Sequence, residues 1–253
     1  MATEKWLHDF NDTDVRKKYY NDLEKLWEDS DHPTMEKLCD FTKYVPKTSI
    51  IQFLARYELY KLIKDVPGSI VECGVCGGRG LFSFVHSVFI NEPMYRWRHI
   101  IGFDTWEGFP SIDHKDLGDK SYDQYHVGGL KYPCYDELKK CAEIHEDFRF
   151  LKGRPQIELI KGDACKTIPE YTDTHPELAI SLLYLDFDLY EPTKIALEHF
   201  LPRMPKGSIV ALDEFNMYEF PGETLALFDV LKGFNKAKMV RLENIKTVYF
   251  VIE

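Results

Sequence analysis

Two pairs of carboxylates carry the chemistry this chain could do. Asp186 and Asp188 follow the apolar run 182–185 in SLLYLDFDLYEPT, and about 25 residues later Asp213 and Glu214 follow a second short run in SIVALDEF. An apolar run of strand length that breaks into acids reads as a buried parallel strand delivering charge to the C-terminal edge of its sheet, where ligand and catalytic residues collect. If the backbone stays extended, residues two apart point to one side, and two anions there repel unless a cation or a proton lies between them. A divalent metal is the simplest reading. Two neighbouring strand ends would supply three or four oxygen ligands, the hard set that magnesium, calcium or manganese prefers.

A second group of residues suits a cofactor. In SIVECGVCGGRGLFSFVHSVFI a strand ends at Cys73, Gly74, Gly77, Gly78 and Gly80 make a turn, and an apolar helix follows. Strand, glycine turn and helix open a nucleotide-binding α/β unit, in which missing side chains let a ligand approach backbone and helix N-terminus. The dinucleotide spacing G-x-G-x-x-G is not met from Gly74, and Glu72 stands where an acid could meet an amine. S-adenosylmethionine, cationic and carrying an amino-acid tail, therefore fits better than a pyrophosphate. Asp104 in HIIGFDTWEGFP stands where a second-strand acid takes ribose hydroxyls, with a turn built on Asp104, Thr105 and Gly108 as the plainer role. Asp163, followed by Ala164, stands after the third strand, Ile157–Ile160, where an adenine amino group is received; a Gly-Asp turn is the competing role. His126 and Gly128-Gly129, inside a long loop over 111–135, are candidates for a substrate pocket, against a plain surface role for the histidine.

Elements must hold these residues in place. The chain has 253 residues, the upper end of single-domain size. Residues 67–253 alternate strand and helix as one α/β domain, and residues 1–66 form a helical preface. In the preface Val15, Tyr19, Leu23, Leu26 and Trp27 recur at helical spacing from Asp12 to Asp29; MEKLCDFTKYV and TSIIQFLARYELYKLI read as two more helices, the last capped by Thr48 or Ser49. The preface either covers a sheet face or an oligomer interface, or forms a lid over a ligand; its aromatic richness suits each, and a homo-oligomer is the expectation. A net charge of −10 and a pI near 5.4 argue against nucleic acid or an anionic membrane as partner. No apolar leader and no run of bilayer length is visible, which favours the cytoplasm. Six irregularly spaced cysteines read as reduced thiols, and the single C-x-x-C at Cys73 and Cys76 lies inside the glycine turn.

Taken together, VPGSIVECGVCGGRG, IGFDTWEGFP, KGDACKTIP, LLYLDFDLYEPTKIALEHFLPRM and IVALDEF resemble the macrocin O-methyltransferase (TylF-type) family, in the same order over roughly residues 45 to 235. The resemblance implies a doubly wound, Rossmann-like class I methyltransferase sheet with an N-terminal helical extension. It implies metal-dependent methyl transfer from S-adenosylmethionine to the sugar hydroxyl of a small natural product or activated sugar. Carried over by position, it implies that Asp186, Asp213 and Glu214 hold the metal, magnesium or a similar ion, and that Asp188 is the general base. Glu72, Gly74, Gly78, Gly80, Asp104, Thr105, Asp163, Ala164 and Asp186 would line the cofactor site. Many relatives carry Asp-Asp where this chain has Asp213-Glu214. Three other readings compete: a nucleotide-sugar glycosyltransferase using Asp186-Phe187-Asp188 as D-x-D, which leaves Glu72 to Gly80 and Asp104 without a task; an aspartate-nucleophile phosphatase, which lacks the expected threonine and lysine context; and a non-catalytic cofactor-binding module.

Overall fold

A strand turns successive side chains to opposite faces, so the unbroken apolar runs of this chain require cover on both sides of the sheet. The computed structural model describes residues 14–118, 124–243 and 245–253. The leader reading at 1–13, with the helix start at Asp12, and the 119–123 part of the long loop lie outside the described residues.

The chain divides into two compact units, 1–52 and 53–253. The first holds α1 (Asp14–Asp29), α2 (Thr34–Cys39) and the start of α3 (Lys47–Ile63). MEKLCDFTKYV is not one helix: α2 stops at Cys39 and a 3₁₀ turn, Phe41–Lys43, follows. Neither Thr48 nor Ser49 caps α3, because both lie inside the helix, which begins at Lys47, and the amides of Ser49 and Ile50 donate to the Pro46 carbonyl. Thr48 Oγ1 lies 3.1 Å from the Tyr20 hydroxyl instead.

The second unit is a seven-stranded sheet of order β3-β2-β1-β4-β5-β7-β6. Its strands are β1 (Ser69–Cys73), β2 (Ile100–Asp104), β3 (Ile157–Lys161), β4 (Ile180–Leu185), β5 (Ile209–Leu212), β6 (Val240–Arg241) and β7 (Val248–Val251). The first five pair in parallel; β7 runs antiparallel to β5 and to β6. Residue parity assigns the faces. Ile70, Ile100, Leu182, Tyr184, Ile209 and Ala211 pack with the end of α3, α4 (Arg79–Asn91) and α5 (Tyr135–Asp147). Val71, Ile101, Phe103, Leu183, Leu185, Val210 and Leu212 pack with α6 (Ala164–Thr174), α7 (Tyr190–Phe200) and α8 (Gly222–Leu231). Among the described residues no helix is long and apolar enough to cross a membrane.

The stretch before β2 is anchored by Arg98. Its guanidinium donates to Glu92, Ser181 Oγ and the carbonyls of Val66, Gly68, Ile63 and Lys64, tying the N-terminal ends of β1 and β4 together. Placing that anchor at the opposite edge leaves the C-terminal ends of the strands for chemistry.

Candidate active site

The strand order turns at β1, with β2 and β3 on one side and β4 and β5 on the other, which opens a crevice at the C-terminal ends of β1 and β4. Ladder bonds run one residue past the strands: the amides of Gly74, Asp186 and Asp213 donate to the carbonyls of Phe103, Cys73 and Leu185 at 2.9, 2.8 and 3.0 Å. This puts the glycine turn and both acid pairs side by side. Gly74 has φ +89, and a Cβ there would lie 1.9 Å from the Asp186 carbonyl oxygen, so only glycine allows this approach.

On the side of the glycine turn Asp104 holds the turn rather than standing free. Its two carboxylate oxygens accept from the amides of Cys76 at 2.7 Å and Trp106 at 2.6 Å. Burial raises its pKa above the ordinary range against those opposing amides. Trp106 returns the support, its indole donating to the Cys76 carbonyl at 3.0 Å. Thr105 Oγ1 donates to the Gly108 carbonyl, closing the neighbouring turn. Asp163 is the N-cap of α6, accepting from the Cys165 amide at 3.0 Å, with Ala164 buried as the first helical residue. Gly78 is the N-cap of α4 at φ 82.

Glu72 shares parity with Ile70, so it enters the face covered by α3 and α4 and is 1% exposed. There it meets Arg56 of α3: Nη2 lies 3.5 Å from Glu72 Oε1 and 4.0 Å from Asp186 Oδ2, with the guanidinium 4.5 Å from the Tyr184 ring centre. Burial pushes the Glu72 carboxyl up to about 7, with Arg56 pulling the other way. Among the described residues Glu72 Oε2 and Arg56 Nε are buried without a hydrogen-bond partner.

On the acid side Asp186, Asp213 and Glu214 each place a carboxylate oxygen within 4.8 Å of the others; so do Asp186, Asp188 and Glu223. The strand geometry does not continue through the first pair, because Asp188 adopts φ 62 and the chain turns there into α7. The two acids still converge, through Glu223: its carboxylate accepts from the Asp188 amide at 3.1 Å and the Glu214 amide at 3.2 Å, clasping both loops. Asp213 Oδ1 accepts from the Tyr184 hydroxyl at 2.7 Å and from Thr247 Oγ1 at 2.9 Å. The Lys246 ammonium lies 3.0 Å from Asp213 Oδ2 and also bonds Glu214 Oε1. Burial and the neighbouring Asp213 and Asp188 raise the Asp186 pKa well above the carboxylate range. Asp213 is held below that range: burial opposes its charge, but Lys246, the Tyr184 hydroxyl and Arg56 more than compensate.

Other candidates stand apart. His126 is exposed, its Nδ1 3.0 Å from the Val127 carbonyl, while Gly128 and Gly129 tie to the backbone of Phe109. Cys73 is buried, and burial with the Asp104 charge pushes the Cys76 thiol up to about 12. Both stay protonated near neutrality, and both are free.

Arg56, Tyr184, Glu223, Lys246 and Thr247 were not singled out from the sequence. Arg56 left a signal, a charge in the stripe with Leu59, Tyr60 and Ile63 that α3 buries. The others left none, since a tyrosine in a strand, a helix-start glutamate and a Lys-Thr before the last strand are ordinary in those places.

A family described as macrocin O-methyltransferase (TylF) matches residues 55–250. The chain is similar to a 4'-O-methyltransferase of 8-demethyl-8-(2,3-dimethoxy-alpha-L-rhamnosyl)-tetracenomycin C from Streptomyces olivaceus, 29% identical over 61% of this chain and 55% of that protein. It is also similar to mycinamicin III 3''-O-methyltransferase from Micromonospora griseorubida, 27% identical over 59% of this chain and 56% of that protein. The matches thus span little more than half the length of these curated relatives. Among solved structures a calicheamicin methyltransferase superposes with a TM-score of 0.89 at 33% identity, over 96% of this chain and 94% of that one. The apo form of a TDP-rhamnose 3'-O-methyltransferase of calicheamicin biosynthesis superposes with a TM-score of 0.81 at 33% identity, over 96% of each chain.

Proposed function

We propose that this chain, which belongs to the macrocin O-methyltransferase (TylF) family, methylates a sugar hydroxyl with S-adenosylmethionine as donor and a hard divalent ion as aid. The observation that carries the reading is the meeting of two unlike sites across one crevice: a glycine turn beside a buried acid, and carboxylates converging at the next strand ends.

The residues present fit both groups. Glu72 Oε2, buried without a hydrogen-bond partner among the described residues, suits the amine of a cationic amino-acid tail, and the bare Gly74 lets the Asp186 backbone pass close beside that strand end. The acid side offers only oxygen donors, and burial together with the neighbouring Asp213 and Asp188 raises the Asp186 pKa, a cost of holding its charge that a hard cation relieves. When bound, the sulfonium supplies an activated methyl group and the ion acidifies and orients a hydroxyl. Asp186, Asp213 and Glu214 would hold the ion. Glu72 and Asp104 would orient the cofactor, so that acceptor oxygen, methyl and sulfur fall in line. Asp188 would take the proton from the acceptor hydroxyl, held toward the cluster by the left-handed turn at its own Cα. Names of similar proteins favour a rhamnose-type acceptor, free as a nucleotide sugar or attached to an aglycone.

The test is incorporation of labelled methyl from S-adenosylmethionine into a panel headed by TDP-rhamnose and other deoxysugar nucleotides, with and without chelator. Chelator-sensitive transfer to a sugar hydroxyl is expected. Full activity in a rigorously metal-free preparation would remove the ion from the reading, and no transfer to any sugar would remove the acceptor class.

A further inference from the structure

The Asp186–Asp213–Glu214 triad already has a cation near it. Lys246, on the connection between β6 and β7, places its ammonium 3.0 Å from Asp213 Oδ2 and in a hydrogen bond with Glu214 Oε1. Asp186 completes the cluster, with a carboxylate oxygen within 4.8 Å of those of Asp213 and Glu214. One ammonium therefore engages two of the three acids that a divalent ion would use. We infer that Lys246 is a built-in competitor of the metal: a divalent ion reaches Asp186, Asp213 and Glu214 only by displacing the Lys246 ammonium into solvent.

Three observations support this. A monovalent ammonium and a divalent ion at the same oxygens repel, and a partly buried site screens that repulsion less than water does. Lys246 can leave, because its side chain is 48% exposed and rises from a connection rather than from the sheet. Asp213 does not depend on it alone, since Tyr184 and Thr247 hold Oδ1 and keep the carboxylate aimed while Oδ2 changes partner. The gain for the protein is that its crowded acids stay compensated when no metal is bound, at the expense of metal affinity.

The inference rests on the metal site of the proposed function, and its test reads binding rather than turnover. Mn2+ is the probe, titrated into purified full-length protein and followed by loss of the free-ion electron paramagnetic resonance signal. Lys246→Met is expected to bind Mn2+ at least about tenfold more tightly than wild type, and Lys246→Arg, which keeps a cation, to stay weak. The methionine variant should also gain more in melting temperature from Mn2+ than wild type does. In wild type, where no fold is at risk, Mn2+ should increase acetylation of Lys246 by acetic anhydride, read by mass spectrometry. Equal or weaker affinity in Lys246→Met, or wild-type labelling that Mn2+ leaves unchanged, overturns the inference; metal-dependent methyl transfer that persists in that case leaves the proposed function standing, with the ion at Asp186, Asp188 and Glu223. Tighter Mn2+ binding in Lys246→Met with no transfer to any sugar supports the inference and fails the function instead.

Discussion

At the scale of single residues, the buried pair of Arg56 and Glu72 and the twin acids Asp186 and Asp188 give the sharpest expectations. Removing one member of a buried ion pair strands the other, which typically costs about 3–5 kcal/mol, whereas removing both costs far less. Arg56→Met should therefore destabilise the protein strongly in urea unfolding, and the Arg56→Met/Glu72→Gln double variant should recover most of the loss. Glu72→Ala should weaken S-adenosylmethionine binding by about tenfold or more in calorimetry, the loss of a charged hydrogen bond being worth about 1.5–3 kcal/mol. Unchanged affinity in a folded variant would reject Glu72 as a cofactor residue. Asp186→Asn should lower apparent metal affinity, with added magnesium partly restoring turnover. Asp188→Asn should leave cofactor affinity nearly unchanged and cut turnover by about 10²–10⁴, the usual worth of a positioned general base. Equal loss of metal in both variants would make Asp188 a ligand of the Asp186–Asp188–Glu223 set.

At the scale of elements, the start of α4 lies directly over the Arg56–Glu72 pair. A Cβ at Gly80 would lie 1.8 Å from Glu72 Oε1 and 2.6 Å from Arg56 Nε. Gly80→Ala should lift the helix or dislodge the pair, costing about 1–3 kcal/mol as overpacking does. It should weaken the cofactor as well, because α4 opens at the glycine turn. The far edge of the sheet offers a pH test. Glu158 of β3 accepts from the Tyr171 hydroxyl of α6 at 2.8 Å and lies 3.3 Å from His99 Nδ1 before β2. Burial works against its charge, yet the contacts from His99 and Tyr171 prevail and hold its carboxyl below the ordinary glutamate value. A carboxyl lowered in the folded state binds fewer protons there than in the unfolded chain, so its contribution is full above the ordinary glutamate range and fades as pH falls through the lowered value. Glu158→Gln should cost about 1 kcal/mol at neutral pH. The gap to wild type should close in acid, as read by denaturant titrations across pH, and a gap independent of pH would count against the assignment.

At the scale of the whole molecule, a ligand that binds only the folded chain raises its melting temperature, by about 2.7 kcal/mol of stability at a concentration one hundred times its dissociation constant. S-adenosylhomocysteine should do this alone, and a uridine or thymidine diphosphate sugar alone should not. The opposite result would favour the D-x-D reading of Asp186-Phe187-Asp188. The fold was largely legible because the inner strands β4 and β5 are near-continuous apolar runs buried along their whole length, a pattern set by cover on both faces. The pieces of the site were legible for a related reason: an acid or a glycine directly after such a run lies at the C-terminal edge whichever strands flank it.

What the sequence determined by itself was therefore local: where strands end, that Glu72, Asp104, Asp186 and Asp213 stand at those ends, and that Gly74 leaves room for a close approach. Which groups answer those acids was decided only in three dimensions. Arg56 reaches Glu72 because α3 covers the face that residue parity gives to Glu72. Glu223 joins Asp186 and Asp188 because α8 begins beside the loop that follows β4. Lys246 meets Asp213 because β7 returns antiparallel to β5 and brings the residues before it back to that edge. The physical reason is the same each time: a charge at a strand end is fixed by near neighbours in the chain, whereas its counter-charge comes from whichever distant segment the sheet order carries past it.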